Sequence, residues 1–112
     1  MKLVVEHADV GKVVIRPDGR LDADTSAEFK QEMQKLVQAG VRQMVADLQN
    51  VSFMDSSGLS ALVSGLKALR QKDGMLHLTG VKPQVQTALR LTMLDRVFPT
   101  FATVAEALTA FK

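Results

Sequence analysis

Asp55-Ser56-Ser57-Gly58 gathers a carboxylate, two hydroxyls and a glycine at one joint of the chain. The segment Val51–Leu59 that contains it joins an apolar, strand-like run to the opening of an amphipathic helix. A helix start presents unpaired backbone N–H groups and a partial positive charge. A hydroxyl placed there can cap the helix, attack a substrate or carry a phosphate. Capping by Asp55 or Ser56 needs no further residue and contributes about 1 kcal/mol. It accounts for one polar side chain of the cluster.

A nucleophilic serine needs a base. The two histidines are His7, beside a short apolar stretch, and His77, between Leu76 and Leu78. His77 therefore reads as a sheet residue. The G-x-S-x-G nucleophile elbow is absent, and so are the glycine-rich phosphate loops and the paired His/Asp/Glu spacings of metal sites. A triad assembles in space, so sequence order alone leaves it open. The pattern favours a binding module over a catalyst. A hydroxyl that a kinase can reach would gain a charge of about −1.5 to −2 on phosphorylation. The backbone N–H groups of a helix start would tolerate that charge.

The elements that must position this joint can be read from periodicity. Leu3–His7 and Lys12–Arg16 favour strands, paired as a hairpin around Ala8-Asp9-Val10-Gly11, with Pro17-Asp18-Gly19 as a closing turn. Thr25-Ser26-Ala27-Glu28 has the form of a capping box, and Phe29, Met33, Leu36 and Val37 follow at helical spacing, with Gly40 at the end. Val41–Leu48 reads as a central strand. Leu59, Leu62, Val63, Leu66 and Leu69 mark the second helix, ended by Gly74. Met75–Thr79 reads as a strand, and Gln84–Thr92 as a helix with Pro83 near its first position. Val97–Phe101 contains Pro99 and can only be an edge strand. Thr103-Val104-Ala105-Glu106 opens a terminal helix. The order β-β-α-β-α-β-α-(β)-α implies an α/β domain with a mixed sheet flanked by helices. Loops at the carboxyl ends of parallel strands carry function in such sheets, and Asp55–Gly58 occupies such a place.

The 112 residues suit one domain, and 46% hydrophobic residues supply a core. There is no cysteine, which excludes disulfides and thiol chemistry and fits a reducing, cytoplasmic setting. No apolar run approaches a membrane span, and the first residues carry no secretory pattern. The net charge is +2, from 14 basic and 12 acidic residues scattered along the chain, and Trp and Tyr are absent. Nucleic-acid binding is not expected from such a surface.

Phe53-Met54-Asp55-Ser56-Ser57-Gly58-Leu59 resembles the signature of bacterial anti-sigma factor antagonists, the STAS-domain proteins of the sporulation and general-stress type. Gly19-Arg20-Leu21-Asp22 with Thr25, Gly74, and Val81-Lys82-Pro83-Gln84-Val85 extend the resemblance over nearly the whole chain, 1–112, as one STAS-like domain. The resemblance implies that Ser56, not Ser57, is phosphorylated. It implies that the kinase is the anti-sigma factor itself, whose ATP is no cofactor of this domain. A PP2C-type serine phosphatase would reset the switch. Asp22 is implied as a kinase contact, beside its plain reading as a turn aspartate. Asp55, Ser57, Gly58 and Leu59 are implied at the partner-binding surface. The free domain is expected to be a monomer without a cofactor.

A second function keeps the same fold: a STAS accessory subunit of a transport complex, such as a lipid-transport ATPase, or a regulator not acting on a sigma factor. One departure from the family pattern is Thr92-Met93-Leu94, where members often carry a glycine. If that turn needs φ > 0, Met93 would be strained, so a rebuilt turn is expected there, or an exposed apolar contact at Met93.

Overall fold

A computed structural model describes residues 1–111. In chain order its elements are β1 (Lys2–Asp9), β2 (Lys12–Leu21), α1 (Ser26–Gln38), β3 (Gln43–Asp47), β4 (Val51–Met54), α2 (Ser56–Arg70), β5 (Met75–Thr79) and α3 (Pro83–Leu91). A 3₁₀ turn (Leu94–Arg96), β6 (Thr100–Phe101) and α4 (Val104–Thr109) follow. The strands form a mixed sheet in the order β1-β2-β3-β5-β6, with β4 attached to β2. Only the β1–β2 hairpin is antiparallel; the pairs β2–β3, β3–β5, β5–β6 and β2–β4 are parallel. The mixed α/β sheet expected from the element order is thus present.

Alternation along the central strands sorts side chains between two cores. Val13, Ile15, Met44, Ala46, Leu76 and Leu78 point into the larger one, against Phe29 and Met33 of α1, Leu62 and Leu66 of α2, and Val85 and Leu89 of α3. Val14 and Val45 face the other way, into a smaller core closed by Ala107 of α4 with Phe101, Val104 and Phe111 at its margin. The stripe read along α2 is therefore the buried one, with Leu59, Leu62, Leu66 and Leu69 all inside.

Two local expectations are corrected by the fold. Pro17-Asp18-Gly19 does not end the second strand; β2 runs through it to Leu21. The segment is a fork. Lys12–Ile15 pair with β3, and Gly19–Leu21 pair with β4, a strand the element order omitted, with a register shift at Gly19/Arg20. Pro17, which has no N–H to donate, lies in the gap between the two parallel partners, where none is needed. Gly19, at φ +110°, supplies the bend. The second correction is at Thr25. Its hydroxyl does not cap α1; it donates to Arg20 O at 2.6 Å and accepts from Asp22 N at 3.1 Å. The turn after β2 takes the group that a capping box would use. Thr103 does form its cap, accepting from Glu106 N at 3.1 Å.

The helix ends separate two uses of glycine. Gly40 has φ +109° and ends α1 with Gly40 N bonded to Val37 O and Val41 N to Leu36 O, the paired closure of a Schellman turn. After α2 the left-handed residue is Asp73 (φ +62°), not Gly74. Gly74 is needed for space: a Cβ there would run into the Arg42 carbonyl oxygen.

Met93 keeps a left-handed backbone, φ +62° and ψ +13°, so the turn after α3 is not rebuilt around it. Its side chain is 64% exposed and has no core contact to hold it there. A non-glycine residue in this region costs about 1–3 kcal/mol, and the extra chain entropy of glycine returns about 0.5–1 of that. Met93→Gly is therefore expected to stabilise the domain by about 1 kcal/mol. The check is a rise in the urea midpoint at constant m-value.

Candidate switch site

The joint lies at the carboxyl ends of two parallel neighbours, β2 and β4, with Leu21 opposite Met54. One residue on, Asp55 N donates to Leu21 O at 3.2 Å. This bond ties the start of α2 to the end of β2. Asp55 has extended backbone and is the N-cap of α2. Its Oδ1 accepts from Ser57 N at 2.9 Å and from Gly58 N at 3.2 Å. The capping role is thus taken by the aspartate.

Ser56 is the first residue of α2 and is exposed. Among the described residues no protein group holds its hydroxyl. Ser57 is half-buried. Ser56, Ser57 and Ser60 of α2 face Ser26 and Lys30 of α1 across an open groove of about 470 Å³. Two helix starts and one ammonium group thus border the exposed hydroxyl, a setting that lowers the cost of negative charge.

The resemblance implies Gly58 and Leu59 at the partner-binding surface, whereas the fold places both side-chain positions inside. Leu59 is 6% exposed and belongs to the larger core. A Cβ on Gly58 would stand 2.6 Å from Leu21 O and 2.7 Å from Met54 Cγ. The missing side chain lets the first turn of α2 lie directly on the ends of β2 and β4.

Asp22 follows Leu21 in the neighbouring loop, and the turn role read for it is realised. Its Oδ1 accepts from Asp24 N at 3.0 Å, and its carbonyl accepts from Ser26 N at 2.9 Å. The Asp24 N–H holds the Asp22 carboxyl below the usual range, with smaller help from Arg20 and Thr25 and against some desolvation. Arg20 Nε lies 3.4 Å from Asp22 Oδ2, and its guanidinium sits 4.3 Å over the Phe53 ring. Asp22 and Asp55 therefore occupy adjacent loops at one end of the sheet.

Sequence reasoning missed Gln84. It stands in the first turn of α3, where only a helix start was legible. Its Oε1 accepts from Met54 N at 2.9 Å and its Nε2 donates to Met54 O at 3.0 Å. The carboxamide thus completes the free edge of β4 as a second strand would. Met54 is 1% exposed, and each of its two backbone groups left without a partner would cost about 1–3 kcal/mol. A lone glutamine in a polar helix start carries no signal of such a contact.

Neither histidine approaches Ser56 through the fold. His7 is exposed on β1, at the sheet edge. His77 points to the opposite face from α2. Its Nδ1 lies 2.9 Å from Ala107 O, and its ring stacks on Phe111 with centroids 3.9 Å apart. Burial lowers the His77 pKa, opposed in part by the Ala107 carbonyl. The unfolded chain then binds more protons than the folded one once pH falls below about 6.5, so stability present above that value declines on acidification. The loss should begin at α4. The protection factors of the Ala107 and Leu108 amides, taken relative to the intrinsic exchange rate at each pH, are expected to fall below pH 6.5 ahead of that of Leu62. An equal fall in protection at all three positions would disprove it. Among the described residues no three His, Asp or Glu side chains gather as a metal site, and no helix is long and apolar enough to cross a membrane.

The chain as a whole is similar to known proteins. The STAS domain model matches residues 2–107. The anti-sigma F factor antagonist of Paenibacillus polymyxa is 31% identical over 110 residues, covering 97% of this chain and 93% of that protein. The anti-sigma-B factor antagonist of Staphylococcus aureus (strain NCTC 8325 / PS 47) is 36% identical over 80 residues, covering 71% and 74%. The crystal structure of an anti-sigma factor antagonist from Mycobacterium paratuberculosis superposes with a TM-score of 0.87 at 30% identity, covering 97% of this chain and 92% of that one. On that match over nearly its full length, the chain belongs to the STAS domain family, and the relatives above are named anti-sigma factor antagonists.

Proposed function

We propose that this domain is a phosphorylation-controlled protein-binding switch without catalysis of its own. Unphosphorylated, it binds an anti-sigma factor that is also a serine kinase, and so frees a sigma factor. Phosphate on Ser56 ends that binding, and a PP2C-type phosphatase restores it. The setting is the cytoplasm, and the free domain acts as a monomer. The names of the relatives support the general role.

The observation that carries the finer reading is the division of labour between Asp55 and Ser56. The aspartate caps α2, so the exposed serine is left over for chemistry on its hydroxyl. Asp22 and Asp55, in the two adjoining loops, frame the surface that a kinase would meet. Asp22 is held as a carboxylate by the Asp24 N–H, which suits contact with a basic partner group.

The test begins with capture. The unphosphorylated chain is immobilised, and proteins bound from the native cell are identified. Recovery of a histidine-kinase-like ATPase is expected. Incubation with that protein and ATP should add one phosphate, and peptide mapping should place it on Ser56. Phosphate on Ser57 or elsewhere sinks the assignment. Recovery of a transport ATPase complex instead would favour the accessory-subunit role.

A further inference from the structure

We propose that Gln84 is the positioning residue of the switch, holding the Ser56 joint in the geometry its partner recognises. The proposal deepens the function above and rests on that reading for the role of Ser56.

The joint is fastened on three sides. On the β2 side, Asp55 N is bonded to Leu21 O. Within α2, the Asp55 carboxylate holds the N–H groups of Ser57 and Gly58. On the remaining side lies the outer edge of β4. Strand β4 has four residues and a strand neighbour only on its β2 side. Its last residue, Met54, is pinned from outside by both ends of the Gln84 carboxamide, at 2.9 and 3.0 Å. Ser56 follows two residues later.

The anchor of Gln84 is itself rigid. Pro83 presets the first turn of α3, and the next residue, Val85, is fully buried in the core. The glutamine therefore couples the placement of α3 to the placement of Ser56. A carboxamide is the required chemistry, because one acceptor and one donor must act together. Alanine has neither, and a glutamate carboxylate would accept from Met54 N while opposing Met54 O.

A segment held in its binding geometry gains apparent affinity in proportion to the fraction of time spent there. Loss of the clamp should therefore raise KM for phosphorylation of Ser56 more than it lowers kcat.

The experiment uses the whole ¹⁵N-labelled chain as wild type, Gln84→Ala and Gln84→Glu. In Gln84→Ala, amide exchange at Asp55 and Gly58 is expected to accelerate about tenfold, with Leu62 and Met44 unchanged, as for a local opening. In Gln84→Glu, exchange corrected for intrinsic pH effects should return toward wild type as the new carboxyl is protonated and regains a donor. A role in packing alone gives no such rescue. With the ATPase recovered by capture, Gln84→Ala should raise KM about tenfold at nearly constant kcat. Unchanged exchange at Asp55 and Gly58, acceleration shared equally by Leu62, or an unaltered KM would each overturn the proposal. If the wild-type chain accepts no phosphate, the switch reading fails, and the exchange and rescue data alone decide whether Gln84 clamps the joint.

Discussion

Gly58→Ala should destabilise the domain by about 1–3 kcal/mol and weaken partner binding, although alanine is the better helix former. The propensity gain is about 1 kcal/mol. Against it stands a methyl group 2.6 Å from Leu21 O, 2.7 Å from Met54 Cγ and 3.0 Å from Leu21 Cβ. A Met side chain can swing aside, but Leu21 O is backbone, and it already accepts from Asp55 N. Moving α2 away lengthens that bond and disturbs the cap at Ser57 and Gly58. Overpacking of this kind costs about 1–3 kcal/mol, and a lost hydrogen bond adds about 1. The melting temperature should fall by about 5–20 °C at this chain length. Shifts in ¹H–¹⁵N spectra should centre on Leu21, Asp55 and Ser56. A Gly58→Ala protein as stable as wild type would show that the close approach is not required.

Ser56→Asp should weaken binding to the captured ATPase at least tenfold, while leaving the fold almost untouched. Ser56 is exposed and its hydroxyl supports nothing else among the described residues, so replacing it removes no internal contact. A carboxylate at the first helical position gains from the helix dipole by about 0.3–1 kcal/mol. The Asp55 carboxylate next to it opposes that gain, because it already uses the N–H groups of Ser57 and Gly58. The net change in stability should be within about 0.5 kcal/mol. At an interface the balance differs. Two like unit charges about 4 Å apart at an effective dielectric near 20 repel by about 4 kcal/mol. A third of that is about tenfold in affinity. Ser56→Ala should bind like wild type and lose its response to ATP. Titration calorimetry with all three proteins, beside their urea curves, separates binding from folding. Equal affinity for Ser56→Asp and wild type would remove charge as the basis of the switch.

The roles of α1 and α2 in the core were legible because their apolar residues recur at a fixed period. Leu62, Leu66 and Leu69 are buried as their spacing requires, and the two-sided burial of β3 follows from its apolar run Met44-Val45-Ala46. Resemblance singled out Ser56, and its exposure at a helix start is a local property that a strand–loop–helix boundary already encodes. Two of the misread segments, Pro17–Gly19 and Leu59, are set by neighbours distant in sequence, and Thr25 by a competing turn three to five residues away. Pro17-Asp18-Gly19 has turn chemistry, yet the partners on either side of it, β3 and β4, make it a fork in one strand. Thr25 has the spacing of a cap, but the turn at Asp22 claims its hydroxyl. Leu59 belongs to the signature and lies in the core.

By itself the sequence determined the fold class, the order of most elements, the family and the candidate serine, since these rest on periodicity and on a contiguous motif. Only the tertiary structure decided which polar residue caps α2, why Gly58 must lack a side chain, and that Gln84 closes the edge of β4 before Ser56. The cap itself joins Asp55 to Ser57 and Gly58, but the other two depend on atoms brought within 3.5 Å from separate segments, 37 residues apart for Leu21 and Gly58 and 30 for Met54 and Gln84. No spacing along a chain records such a meeting.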